Sequence, residues 1–271
     1  MRGARVGFGI GFLLTGDQKY VDTLRRQIDN MYAQKKVVDG KEMIPQKYGE
    51  RGWYGYVYKS RTAGGNVNFR SLPELTDIYT WTLEPSDLPR ISDAPWIHYM
   101  RGERPRFPLS AIADNLDTIR RQVQSVRADT KTRDTRGSSD MPVVTSVSSL
   151  MHLMLGANDP GSGGNVLHAQ VRYFDSAARR PGLPRGAGAL VEQVRSDGIT
   201  LLLVNTNAVN SRELIVQTGA YAEHDAVAVI VNGQRTEVGD SMFAVRLGAG
   251  AGARLTIRMK RYANQPTFAF P

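Results

Sequence analysis

Apolar positions recur with a helical period in the first part of the chain and with a period of two toward its end. After Gly16-Asp17, Val21, Leu24, Ile28, Met31 and Tyr32 fall on one helical stripe. Thr15 or Asp17 can cap its first N–H groups, so the spacing predicts a helix from about Gln18 to Lys36. The run Val6 to Leu14 is apolar nearly all round, which suits a buried inner helix. Downstream, "SLPELTDIYTWTL" reads as a helix ending at Pro85, and "APWIHYMRG" as a helical or turn segment stopped by Gly102 and Pro105. Ile112, Leu116, Ile119, Val123 and Val126 define a clear amphipathic helix in "LSAIADNLDTIRRQVQSVRAD". "VTSVSSLMHLMLG" supplies a last helix with Gly156 as its stop.

The pattern changes near residue 160. "NDPGSGGN" is turn-rich, and seven strand-like segments follow it: "VLHAQVRYF", "ALVEQVRSD", "ITLLLVNTN", "RELIVQTG", "AVAVIVNG", "MFAVRL" and "ARLTIRMKRY". Such a series predicts an antiparallel sandwich. The expected organisation is therefore α+β: a helical part over residues 1–157, a linker over 158–165 and an antiparallel β-sandwich over 166–271.

Composition narrows the chemistry. The chain has 271 residues, 41% of them hydrophobic, enough for a sizeable core. No cysteine is present, which removes disulfides, thiolate nucleophiles and zinc-thiolate sites. No His-x-His, HExxH or carboxylate cluster suggests a metal, so neither cofactor nor metal is expected. Arg2 and Arg5 before the apolar run imitate a secretory signal, but no small-residue cleavage site follows, and no run approaches the length that spans a bilayer. The compartment stays open, with a secreted or periplasmic parent enzyme as one expectation. A formal charge of +9 favours an anionic partner. Nucleic acid is disfavoured, because the charge is spread and no zinc-finger spacing or RNP-like motif appears. An acidic polysaccharide or oligosaccharide is the expected partner.

A helix, then "TGDxKY", an amphipathic helix, "DG" and a loop with Pro and "GWYGY" together resemble one hairpin of the (α/α) toroid fold of six-hairpin glycosidases and several polysaccharide lyases. The matching residues are Thr15, Gly16, Asp17, Lys19, Tyr20, Asp39, Gly40, Pro45, Gly52, Trp53 and Tyr54. Toroid enzymes of this kind commonly carry a C-terminal β domain, which fits the order seen here. A complete toroid needs on the order of 300 residues before any β domain. The resemblance therefore implies the C-terminal part of such a carbohydrate-active enzyme, with an incomplete (α/α) toroid.

The resemblance implies cleavage of glycosidic bonds in a uronate-bearing polysaccharide, with hydrolysis expected first, β-elimination as the alternative, and a non-catalytic sugar-binding module as a further one. Trp53, Tyr54 and Tyr56 in "WYGYVY" could stack on sugar rings, or pack as a strand face. "PWIHYMRGERPRF" gathers Trp96, His98, Tyr99, Arg101 and Arg104; elimination needs a base such as His98 or Tyr99 and a cation facing the uronate carboxylate. The structural alternative pairs its arginines with Glu84, Asp87 and Asp93. Hydrolysis needs two carboxyl groups about 5 to 10 Å apart. Asp129 with Asp134, or Glu74 with Asp77 at i, i+3 on a helix, are the candidate pairs. Asp129 and Asp134 are equally suited to capping turns. His152, His168 and His224 stand alone and read as structural. "GFGIG" lacks the strand and the full spacing of a phosphate loop. The terminal "FAFP" reads as an apolar plug.

Overall fold

The computed structural model describes residues 2–33, 36–38, 41–45, 53–54, 73–91, 95–132, 135, 148–158 and 167–271. The chain is α+β, with helices and antiparallel sheets in two compact units. One unit takes in Met1–Ala94 with Pro160–His168, the other Pro95–Asp159 with Ala169–Pro271. The helices beyond Pro95 belong to the unit that holds the large sheets.

In the first unit, α1 (Arg2–Thr15) and α2 (Lys19–Ala33) form a hairpin. The TGDxKY residues build the corner. Gly16 N–H donates to Phe12 O, Thr15 Oγ1 accepts from Asp17 N–H, and Asp17 Oδ1 accepts from Lys19 N–H. Both helix ends are thereby closed by local bonds. Val21, Leu24 and Ile28 form the buried face of α2, as the spacing predicts. The apolar run of α1 is not buried all round, since Phe12 and Leu13 are enclosed while Leu14 is 43% exposed. Its glycines explain the GFGIG motif: a Cβ on Gly9 would sit 2.7 Å from the Trp81 ring, and one on Gly11 2.7 Å from the Tyr20 ring.

The helix ends at Ala33, short of the predicted Lys36. Lys36 opens β1 (Lys36–Val38), which pairs antiparallel with β2 (Lys41–Pro45), and β2 pairs with β3 (Trp53–Tyr54). β-Branched Val37 and Val38 favour an extended strand over another helical turn. α3 (Pro73–Thr82) buries Leu75, Ile78, Tyr79 and Trp81, and a 3₁₀ turn at Pro85–Arg90 follows. That turn carries Asp87, which is buried and clasped by Arg25 of α2 through Nε (3.2 Å) and Nη2 (2.6 Å).

In the second unit, α4 (Pro95–Met100), α5 (Phe107–Ala128) and α6 (Ser148–Leu150), the last continued by a π-helical turn at Met151–Leu155, accompany the sheets. α5 does not bury its predicted stripe: Ile112, Ile119 and Val123 are half-buried and Leu116 and Val126 exposed, while the enclosed residue is Ala111, beside the stripe. Gly156 ends the last turn as expected.

All seven predicted strands are present as β4 (Val171–Asp175), β6 (Ala187–Arg195), β7 (Gly198–Asn205), β8 (Arg212–Thr218), β9 (Asp225–Val231), β11 (Met242–Leu247) and β12 (Gly252–Lys260). Two more, β5 (Arg180–Pro181) and β10 (Gln234–Asp240), complete two antiparallel sheets of order β10-β9-β12-β7-β6 and β11-β8-β4-β5. Alternation fixes the inner face. Ile199, Leu201 and Leu203 of β7 lie opposite or diagonal to Leu255 and Ile257 of β12, all buried, while Arg254 and Arg258 point outward. β10 is almost wholly exposed, so it carries no alternation to read. Its signal is the Asn232-Gly233 turn, where both residues have positive φ, the geometry of a type I′ hairpin.

Candidate functional site

Among the sequence candidates, the second unit gathers its chemistry at the C-terminal end of α4. The helix ends because Gly102, at φ 86°, and Pro105 do not continue it, and Glu103 N–H folds back to His98 O at 2.9 Å. That reversal brings the Glu103 carboxylate to His98 and Arg101. Oε2 lies 2.5 Å from His98 Nδ1, and Oε1 accepts from Arg101 Nε at 2.6 Å. His98 and then Arg101 hold the Glu103 carboxyl below the usual carboxylate range. An ionised acceptor at Nδ1 places the proton on that nitrogen, which puts the basic lone pair of the neutral ring on Nε2. Arg104 and Arg106 are exposed in the same turn.

Two neighbours point the other way. Trp96 is buried, stacks on His152 with centroids 4.7 Å apart, and donates from Nε1 to His152 O at 3.0 Å. It anchors α4 to the π-helical turn. Tyr99 is buried and tilted against Phe107. Burial first, then Glu192, push its phenol up to about 12 against the opposing pull of Arg254. That direction runs against the low pKa that a tyrosinate base needs. Of the three candidates on α4 and the two arginines after it, the geometry therefore unites His98 and Arg101.

The carboxylate candidates are scattered. Asp129 caps the end of α5, and its Oδ1 accepts from Lys131 N–H at 2.9 Å, an Asx turn. Asp134 lies outside the described residues. Glu74 and Asp77 are on α3 in the first unit, with Asp77 half-buried. Trp53 and Tyr54 are in β3, paired with Pro45 and Ile44; Tyr56 lies outside the described residues. Glu103 was absent from the expected partners of the arginines, as its importance depends on a chain reversal that no periodicity records. Asp87, one of those expected partners, is instead taken by Arg25.

A second polar cluster is buried between β8 and β9. Glu223 and His224 are 2% and 0% exposed. Glu223 accepts from Ala220 N–H (3.1 Å) and Tyr221 N–H (2.7 Å), and His224 Nδ1 accepts from Tyr262 N–H (3.0 Å). Gly219, at φ 86°, allows the approach, since a Cβ there would fall 2.4 Å from the Glu223 carboxyl. Burial raises the Glu223 pKa, opposed by these backbone bonds and by Arg261. The Glu223 carboxyl braces the 219–225 turn internally, while His224 Nδ1 and the carbonyls of Tyr221 and Glu223 tie that turn to the C-terminal segment, which is structural work. The expectation that His224 is structural agrees with that geometry.

Among the described residues, no group of three or more His, Asp or Glu could hold a metal, and no helix is long and apolar enough to cross a membrane. No family model, curated protein or solved structure matches the chain.

Proposed function

We propose that this chain is part of a carbohydrate-active enzyme that cleaves an acidic, uronate-bearing polysaccharide, its helical hairpins being an incomplete (α/α) toroid and its two sheets a β-sandwich. The observation that carries the reading is the oriented imidazole of His98, fixed through Nδ1 by Glu103 beside Arg101 in an arginine-rich turn. The resemblance of the TGDxKY corner to toroid hairpins and the basic charge of the chain support the substrate class.

Within that reading, this turn favours elimination over the hydrolysis expected first. His98 Nε2 takes the proton at C5 of a uronate; the electron pair forms the C4–C5 double bond; the C4–O bond breaks and its oxygen leaves with a proton supplied by water. Arginine in the turn faces the uronate carboxylate and stabilises the charge that develops on it. Hydrolysis stands as the second reading, favoured by the i, i+3 placement of Glu74 and Asp77 on α3.

The test is digestion of polygalacturonate, alginate and glycosaminoglycans, followed by near-ultraviolet absorbance and reducing ends. Elimination yields both signals, and His98→Ala removes both. Reducing ends without absorbance replace elimination by hydrolysis. No cleavage of any uronate polymer overturns the enzymatic reading.

A further inference from the structure

The last residues of the chain do not form the enclosed plug that "FAFP" suggests. Phe268 is 82% exposed and Phe270 37% exposed, yet both rings are seated on aromatic residues of the sheet unit. Phe270 meets Phe174 of β4 edge-on, with centroids 5.4 Å apart at 88°. Phe268 lies 5.0 Å from Tyr221, tilted by 59°. Phe174 and Tyr221 are themselves buried, so each exposed ring has a fixed floor.

Guanidinium groups lie over two of these rings. Arg172 sits 5.4 Å from the Phe174 centroid and donates from Nη1 to Ala220 O at 2.8 Å, next to Tyr221. Arg179, which is exposed, lies 6.0 Å from the Phe270 centroid. The nearby carboxylate of Asp175 is buried and already engaged by Ala178 N–H and by Arg180. The surface thus presents the broadly exposed Phe268 ring and the Phe270 ring with the Arg179 cation over it, and its acidic neighbour is already paired. Flat apolar faces match the C–H faces of pyranose rings, and guanidinium groups match carboxylates.

We propose that Phe268, Phe270 and Arg179 form a second binding site, for an acidic oligosaccharide, separate from the α4 turn. The substrate class rests on the reading above. The site holds the polymer without reacting with it, so its contribution is to the affinity for long chains. A partner of this kind is chosen by the neighbouring ring and cation; a purely apolar partner gains nothing from the charge of Arg179.

The experiment is calorimetric titration of the full chain with an oligogalacturonate and with its methyl-esterified form, which keeps the sugar and removes the charge. The expected result is binding of the acid form, weakened about tenfold by Phe268→Ala, the scale of one lost ring contact. Arg179→Glu weakens the acid form and leaves the ester unchanged. Phe268 is too exposed for its removal to unfold the sheets, and an unchanged circular dichroism spectrum checks this. Binding by the wild type that neither variant alters overturns the second site while leaving the polysaccharide reading intact. No binding of any uronate to the wild type overturns both. Self-association that Phe268→Ala abolishes, without sugar binding, makes the patch a contact between copies and overturns the proposal.

Discussion

The backbone N–H of Tyr262 donates to His224 Nδ1 at 3.0 Å, and this bond joins the end of β12 to the turn before β9. It belongs to a strap. Ala263 N–H donates to Glu223 O, Thr267 N–H donates to Tyr221 O, and Asn264 Nδ2 donates to Asp225 Oδ1. An acceptor at Nδ1 requires that nitrogen to be unprotonated. His224→Ala therefore removes both an acceptor and a buried ring, at a cost of about 2 to 5 kcal/mol. His224→Asn keeps an oxygen near the Nδ1 position and recovers part of the loss. Urea denaturation of the two variants checks the order, and hydrogen exchange at Tyr262 reads the bond itself. Equal stability of all three proteins overturns the strap.

Glu223 gives the same turn a dependence on pH. Its folded pKa is raised by burial from an ordinary value of 4.5, so the folded state binds the proton more tightly than the unfolded chain does. The stability this contributes is full below the ordinary carboxylate range and is lost as pH rises through the raised value. Glu223→Gln removes that slope. One of the Ala220 and Tyr221 N–H groups then loses its acceptor, costing about 1 to 3 kcal/mol. The variant is accordingly expected to be less stable at mild acid and to show a flatter profile from pH 4.5 toward neutrality. An unchanged slope in urea midpoints measured across that interval assigns the dependence to other groups.

The glycines of α1 separate packing from helix propensity. An alanine normally gains about 1 kcal/mol over glycine inside a helix. Gly7 has nothing within 4 Å of a built Cβ, so Gly7→Ala is expected to stabilise the first unit. Gly9→Ala drives its methyl into the Trp81 ring and Gly11→Ala into the Tyr20 ring, which overpacks the hairpin by about 1 to 3 kcal/mol. Thermal unfolding should raise the midpoint for the first variant and lower it for the other two. A rise for all three shows that Trp81 and Tyr20 move aside freely.

These contacts mark how far the sequence could be read. Period-two alternation exposed the seven strands that bury a face, because Ile199, Leu201 and Leu203 must all point one way. β10 lacked that signal, since both its faces meet solvent. The α2 stripe placed its helix as far as Ala33, and the pairing of Lys36–Val38 as a strand outweighed further helical periodicity. The candidate site was legible as a gathering of residue types in "PWIHYMRGERPRF". Which side chains meet was not legible, because the reversal that sets Glu103 against His98 depends on Gly102, the seating of Trp96 depends on His152, 56 positions away, and the Tyr99 phenol feels the charge of Glu192, 93 positions away. The cavity-like approach of Glu223 to Gly219 was likewise hidden in a turn that reads only as punctuation.

The clasp between Arg25 and Asp87 is the sharpest case of a long-range pairing that composition cannot announce. Asp87 is 4% exposed, and both its oxygens accept from one guanidinium, at 3.2 and 2.6 Å. Removing Arg25 leaves the enclosed Asp87 carboxylate without its guanidinium, a loss of about 3 to 5 kcal/mol, so Arg25→Ala should destabilise the first unit on that scale. Asp87→Ala should cost less, because Arg25 keeps its contact with Asp22 at 3.2 Å and is partly solvated. Arg25→Lys keeps the charge but loses the planar fork, and should recover only part. The double variant Arg25→Met with Asp87→Leu removes both charges and fills the space with apolar atoms, so it should be more stable than either single alanine variant. Hydrogen exchange along α2 and α3 measures this unit without interference from the sheets. A double variant as unstable as the two single losses combined rejects the pair as an interacting unit, because independent sites add and coupled ones do not.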